Sequence, residues 1–214
     1  MRKGGKLALN LDEGDELVFV MHSMGDKDVL LATHEGSAAR FSESQVRPLS
    51  RTARGVRGVK LREGDFVVGA VIVDDSKQLI TVTENGYGKR TPFEDFRVKG
   101  RGGLGVTCHN LTDKTGLLAG IADVTDDDDL MMITNTGTVI RTPVAQINTY
   151  SRTAAGVIVM RLNEGQTLAG FSKVAHEDEE EGAPEAASVP EETVVSDAPA
   201  EGAPAVPAAD TVSE

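Results

Sequence analysis

The chain has 214 residues, with 34 Asp and Glu against 22 Lys and Arg and a net charge of −12. Its one cysteine, Cys108, excludes an intramolecular disulfide framework, and His22, His34, His109 and His176 are too scattered for metal-ligand spacing. No apolar run approaches membrane-spanning length and MRKGGKLALN lacks the long apolar core of a signal peptide, so a soluble cytoplasmic protein with no membrane partner is expected.

Leu11 in LDEGD returns as Leu61 in LREGD, Leu111 in LTDKTG and Leu162 in LNEGQ, at spacings of 50, 50 and 51 residues. Gly36 in HEGSAAR, Gly86 in ENGYGKR and Gly137 in NTGTVIR keep spacings of 50 and 51, as do the arginines behind them, Arg40, Arg90 and Arg141. A third register agrees: Arg51 and Gly55 in RTARG, Arg101 and Gly105 in RGGLG, Arg152 and Gly156 in RTAAG. Three registers with one period mark an array of similar units, 1–50, 51–100, 101–151 and a partial 152–174.

Within a unit, FVVGAVIV (66–73) and QLITVT (78–83) read as strands, and Asn85-Gly86 reads as a hairpin turn. The four repeated leucines are each expected to end a strand ahead of a Gly-containing turn. About four short strands per unit and no convincing helix make an all-β fold built from propeller-like blades, since one such unit cannot bury its own faces. Only three and a half units are visible, so the array is expected to be incomplete or open.

The last residues are of another kind. All 22 Lys and Arg lie at or before Lys173, and 22 of the 34 acids precede Ala175, so residues 1–174 are neutral and 175–214 carry the whole −12. That segment, without Lys, Arg, aromatic, Leu or Ile, is expected to be a disordered acidic tail.

Basic residues cluster on the connections between units. Arg40, Arg47, Arg51, Arg54, Arg57, Lys60 and Arg62 stand against Glu43 alone, and Lys89, Arg90, Arg97, Lys99 and Arg101 against Glu94 and Asp95. SRTARGVRG (50–58) puts three guanidinium groups and two glycines into nine residues. The guanidinium fork grips a phosphate in two bonds, and a period that returns the connection to one edge of every blade predicts a cationic rim suited to a polyanion. With Tyr87 and Tyr150 the only tyrosines and no tryptophan, stacking on single strands is disfavoured and a duplex held by its backbone is favoured. The plainer reading is solvated loops whose arginines pair with the acids of LREGD-like turns.

NLDEGD (10–15), VRPLSRTARGVRGVKL (46–61), TENGYGKRTPFEDF (83–96) and TNTGTVIRTPVAQI (134–147) resemble the C-terminal domain of the DNA gyrase A-subunit, from about Arg2 to Val174. The acidic tail is similar as well. The resemblance implies a β-pinwheel whose basic perimeter bends and wraps duplex DNA for a type II topoisomerase that introduces negative supercoils in the bacterial cytoplasm, at the nucleoid. It also implies the gyrase B-subunit plus a second A-subunit as partners. No cofactor is implied in this segment, the ATP and Mg2+ of the parent enzyme belonging to other domains. Carried onto matching positions, the resemblance implies DNA contacts from Arg40, Arg47, Arg51, Arg54, Arg57, Lys89, Arg90, Arg97, Arg101, Arg141 and Arg152, by phosphate neutralisation without base readout. Arg2-Lys3-Gly4-Gly5-Lys6 echoes the family's heptad QRRGGKG, but its position ahead of LDEGD marks it as a degenerate copy, with the true heptad expected upstream of Met1. The alternatives are the corresponding domain of topoisomerase IV and a propeller that binds acidic proteins.

Other signals carry less. Gly100-Arg101-Gly102-Gly103-Leu104-Gly105 satisfies GxGxxG, but a strand follows where a dinucleotide site needs a helix. Asp126-Asp127-Asp128-Asp129 lacks the ligand alternation of a calcium loop and reads as a solvated hairpin tip. Cys108 and His109 are adjacent and so face opposite sides of a strand, Tyr87 and Tyr150 lack the setting of a nucleophile, and no catalytic residue is expected.

Overall fold

The structure, a computed structural model, describes residues 5–176. Its strands are β1 (Asp28–Thr33), β2 (Ser37–Ser42), β3 (Val67–Ile72), β4 (Gln78–Thr83), β5 (Tyr87–Pro92), β6 (Val106–Thr107), β7 (Leu118–Val124), β8 (Asp128–Thr134), β9 (Val139–Pro143), β10 (Val157–Ile158) and β11 (Leu168–Ala175). FVVGAVIV and QLITVT form β3 and β4 as expected, and Asn85-Gly86 turns β4 into β5. The acidic tail lies outside the described residues, apart from Ala175, which ends β11, and His176.

Each hairpin runs into a single turn of 3-10 helix, at Glu43–Gln45, Phe93–Asp95 and Val144–Gln146. Three residues are too few to show a helical period, so the sequence reading finds no helix there. The turns serve the core: Phe93 and Phe96 are 1% and 2% exposed, and Val144 and Ile147 occupy the matching places one unit later.

The sheets are ordered β3-β1-β2-β6, β10-β5-β4-β7 and β11-β8-β9. Each is centred on one hairpin, with one flanking strand from the next unit (Val29 pairs with Ile72) and, in the first two, another from the unit after that (Ser37 pairs with Thr107). The expectation that one unit supplies the strands of one blade is therefore corrected. β3 and β4, neighbours in sequence, belong to different sheets, and a four-stranded blade draws on three successive units. Leu11, Leu61, Leu111 and Leu162 sit in irregular backbone ahead of a turn and end no strand, because the chain is there crossing between sheets.

Two apolar clusters fill the space between sheets. Leu30, Val71, Leu79, Phe93, Phe96 and Leu118 form one, and Ile80, Val82, Leu130, Met132, Val144 and Leu168 the other. Because side chains alternate along a strand, β4 sends Leu79 into the first cluster and Ile80 and Val82 into the second. Its near-continuous apolar sequence reflects burial on both faces. Leu17–Met21 occupies the sequence place of β3, β7 and β11 but is in no strand among the described residues, and Val20 is 83% exposed.

Two of the three glycines in the third sequence register, Gly105 and Gly156, owe their place to strand pairing. Gly105 (φ +76°) opens β6, where a Cβ would stand 2.4 Å from the Ala38 carbonyl oxygen; Gly55 has a similar φ, +86°, and nothing within 4 Å. Gly105→Ala is expected to cost about 2 kcal/mol or more, from left-handed strain plus a backbone clash, and Gly55→Ala only about 1 kcal/mol, from strain alone. Urea denaturation of the two variants checks the difference.

Candidate nucleic-acid interface

The inter-unit connections meet edge to edge. The Lys60 amide donates to the Gly103 carbonyl (2.8 Å), the Gly102 amide to the Gly58 carbonyl (2.7 Å), and the Asn110 amide to the Ala154 carbonyl (3.1 Å). Side chains reinforce the seam: Gln45 Nε2 donates to the Lys99 carbonyl (3.2 Å) while its Oε1 accepts from the Arg101 amide (2.9 Å). Through these bonds, segments far apart in sequence make one continuous strip.

Arg47, Arg51, Arg54, Arg57 and Arg97 are exposed along this strip. Arg54 pairs with Asp12, but both are more than half exposed, and such a pair is worth too little to withhold the guanidinium from another anion. Lys99, which the carried-over contact set omits, is exposed in the same strip beside Arg97. Its cue in the sequence was the KGRGG turn itself.

The other expected contacts sit elsewhere. Lys89 is 0% exposed, and its Nζ donates to the carbonyls of Ser151 and Arg152, both at 2.7 Å. It is fully enclosed and faces no solvent from which a duplex could approach. Burial lowers its pKa to about 8, with the positive charge of Arg152 adding to the shift against Cys108 and Asp95.

Arg40, Arg90 and Arg141 recur because they clamp the fold. Arg40 Nε donates to Asp28 (2.8 Å), Nη1 to the Phe93 carbonyl (2.8 Å) and Nη2 to Asp75 (3.3 Å), with the side chain 11% exposed. Arg90 contacts Asp126 and the Ile147 carbonyl, and Arg141 contacts Asp129 (2.6 Å) and the Ala175 carbonyl (3.0 Å). Each guanidinium thus ties its hairpin to chain lying beyond it. Arg101 and Arg152 are half-buried struts within the strip, donating to the carbonyls of Arg57 (2.8 Å) and Thr107 (3.1 Å).

The remaining polar groups are structural. His109 bridges the Thr81 hydroxyl (2.9 Å) and the Ala155 carbonyl (3.0 Å), and burial, reinforced by Lys89, lowers its pKa to about 4, so it stays neutral. Burial pushes the Cys108 thiol up to about 12, and its Sγ donates to the Gly36 carbonyl. Neither is a nucleophile or base of use at neutral pH. The aspartate run departs from a solvated tip at its end: Asp129 is 2% exposed and accepts from Arg141 and from His176 Nδ1 (2.7 Å). Burial would raise its pKa, but those two partners outweigh it and hold the carboxyl below its usual range. Among the described residues no group of three His, Cys, Asp or Glu could hold a metal ion.

Two open grooves lie on the strip. One of about 630 Å³ runs between Asp95, Arg97, Lys99 and Arg152, and another of about 720 Å³ between Asp12, Arg54, Arg57 and Lys60. Guanidinium and ammonium groups with approachable backbone amides can neutralise phosphates here.

The family described as "DNA gyrase C-terminal domain, beta-propeller" matches residues 1–23, 27–74, 77–125 and 128–175. A DNA gyrase A-subunit from Staphylococcus epidermidis is 46% identical over 181 residues, 84% of this chain and 20% of that one. Another, from Staphylococcus aureus, is 42% identical over 194 residues, 90% of this chain and 22% of that one. The chain therefore spans about a fifth of the length of the curated relatives it matches. Among solved structures, a C-terminal domain of DNA topoisomerase IV has a TM-score of 0.75 at 26% identity, covering 80% of this chain and 54% of that chain. A DNA gyrase A C-terminal domain has a TM-score of 0.69 at 29% identity, covering 80% and 59%.

Proposed function

Because the chain belongs to the DNA gyrase C-terminal domain family, we propose that it holds duplex DNA by its phosphates along the cationic strip and bends it from one sheet to the next without reading base sequence. The observation that carries this reading is the edge-to-edge bonding of the connections. Lys60 to Gly103, Gly102 to Gly58 and Asn110 to Ala154 turn separate loops into one continuous track. Exposed arginines on a continuous track can neutralise successive phosphates of one duplex, whereas the same arginines on unconnected loops could not follow it.

The proposed contacts are Arg47, Arg51, Arg54, Arg57, Arg97 and Lys99. Arg40, Arg90, Arg101, Arg152 and Lys89 support them from within, and Arg141, more exposed, through its ion pair with the buried Asp129. In the larger assembly, this segment delivers curved duplex to the DNA-cleaving part of a gyrase A-subunit, which works with the B-subunit plus a second A-subunit. ATP and Mg2+ chemistry resides outside the segment, negative supercoiling is the output, and the setting is the bacterial cytoplasm. Gyrase A-subunits at 42–46% identity support gyrase, while the solved domains of gyrase A and topoisomerase IV stand at a similar 29% and 26%.

Wild-type affinity for duplex is expected to fall linearly on a log–log plot against salt, with a slope of about −0.9 per phosphate engaged, and to rise with duplex length. Arg51→Glu with Arg54→Glu is expected to flatten that slope by about two. It is also expected to slow ligase-mediated circularisation of short fragments, because less of the bending energy is recovered in contacts. A protein whose duplex affinity ignored both salt and length would be a binder of something else, an acidic protein surface being the chief alternative.

A further inference from the structure

We infer that the duplex track is polarised along the chain: DNA is gripped over the first two connections and released before the third. This rests on reading the strip as a duplex-binding surface, and it assigns where on that surface the grip lies. The three connections follow equivalent hairpins and equivalent 3-10 turns, so equivalent positions can be compared directly.

On the first connection, Arg47, Arg51, Arg57 and Lys60 are exposed with no side-chain partner among the described residues, and Arg54 and Arg62 hold only exposed ion pairs, with Asp12 and Glu35. On the second, Arg97 and Lys99 are exposed without a partner among the described residues, while Arg101 is half-buried and donates to the Arg57 carbonyl. The third has Asn148, Ala155 and Ile158 where the first has Arg47, Arg54 and Arg57. Its Arg152 is half-buried against the Thr107 carbonyl, which leaves Arg161 as its exposed cation without a partner among the described residues. The backbone track continues across all three, through the Asn110 to Ala154 bond, but its charge does not.

Acidic groups ahead of the hairpins do not set this gradient, since Asp75 takes up the Arg40 guanidinium before the second hairpin as Asp126 takes up that of Arg90 before the third. Curvature persists only where each further phosphate meets a cation, because deformation of the duplex must be repaid locally by contacts. Contacts thin from the first connection to the second and nearly vanish on the third, so the duplex leaves the surface there.

Paired charge reversals on each connection test this in the whole chain, with a 40-base-pair duplex as probe. Arg51→Glu/Arg57→Glu and Arg97→Glu/Lys99→Glu are each expected to flatten the salt slope by about two. Arg161→Glu is expected to leave the slope unchanged, and hydroxyl-radical protection of the duplex is expected to be no shorter in that variant. Gln at the same sites reports any loss of fold. Arg161→Glu lowering slope and footprint as much as the first-connection pair, with wild-type binding intact, overturns the polarity. Wild-type protein without salt-dependent duplex affinity overturns instead the duplex-binding reading beneath it.

Discussion

Lys89→Ala is expected to lower folding stability by about 3–5 kcal/mol. The substitution empties a site that is 0% exposed and deprives the Ser151 and Arg152 carbonyls of their shared ammonium donor. Lys89→Met keeps most of the volume and loses only the donor, so it is expected to fall between wild type and alanine. The lysine also leaves a signature in pH. Its folded pKa is lowered to about 8 from 10.5, so below pH 8 both folded and unfolded chains carry the proton and the folded one bears the penalty of burying it.

Between about pH 8 and 10.5 the folded chain has released that proton while the unfolded chain still holds it, so stability rises with pH. Measured against Lys89→Met, which cancels the contributions of other groups, wild type is expected to gain about 3 kcal/mol across that window. Thermal or urea unfolding at pH 7.5, 9 and 10.5 reads it directly. A flat or falling difference would mean that the ammonium is not buried as the structure places it.

The second large effect belongs to Arg40. Arg40→Ala is expected to cost about 3 kcal/mol, since it strands the Asp28 carboxylate, 18% exposed, and the Phe93 carbonyl. The neighbouring Arg47→Ala is expected to stay within about 0.5 kcal/mol of wild type. For duplex binding the order reverses, Arg47→Ala weakening it and the folded fraction of Arg40→Ala keeping it. A double-mutant cycle with Asp28→Ala isolates the pair, with an expected coupling of about 1–3 kcal/mol. Unchanged stability with lost binding in Arg40→Ala would return this arginine to the interface.

These two residues show how repetition misleads. Arg40, Arg90 and Arg141 recur at fixed spacing because what is common to every unit is its fold, and they hold it. Of the exposed arginines on the strip, Arg54 and Arg57 have Leu104 and Thr107 one unit on and Ala155 and Ile158 in the unit after that, while Arg47 keeps its counterpart Arg97 and loses it at Asn148. What separates the two groups is partners rather than burial alone: Arg40 and Arg90 are 11% and 13% exposed but Arg141 is 38% exposed, and all three hold a carboxylate and a backbone carbonyl, which spacing does not reveal. A partial cue did exist: Asp28 and Asp129 stand 12 residues ahead of Arg40 and Arg141 across equivalent hairpins. Gln78 breaks the pattern in the middle unit, where Arg90 takes Asp126 instead.

By itself the sequence determined the repeat, the positions of the β3 and β4 strands, the hairpin turns and the electrically neutral body, because strand propensity, alternation and turn chemistry act over a few residues. Only the tertiary structure decided which unit lends a strand to which sheet and which cations stay at the surface. Ser37 meets Thr107 across 70 residues through backbone bonds that any two residues could make. The acceptors that draw Lys89 inward are likewise carbonyls, of Ser151 and Arg152, as is one of the three that hold Arg40, and since every residue carries one, such a partner leaves no mark in the sequence.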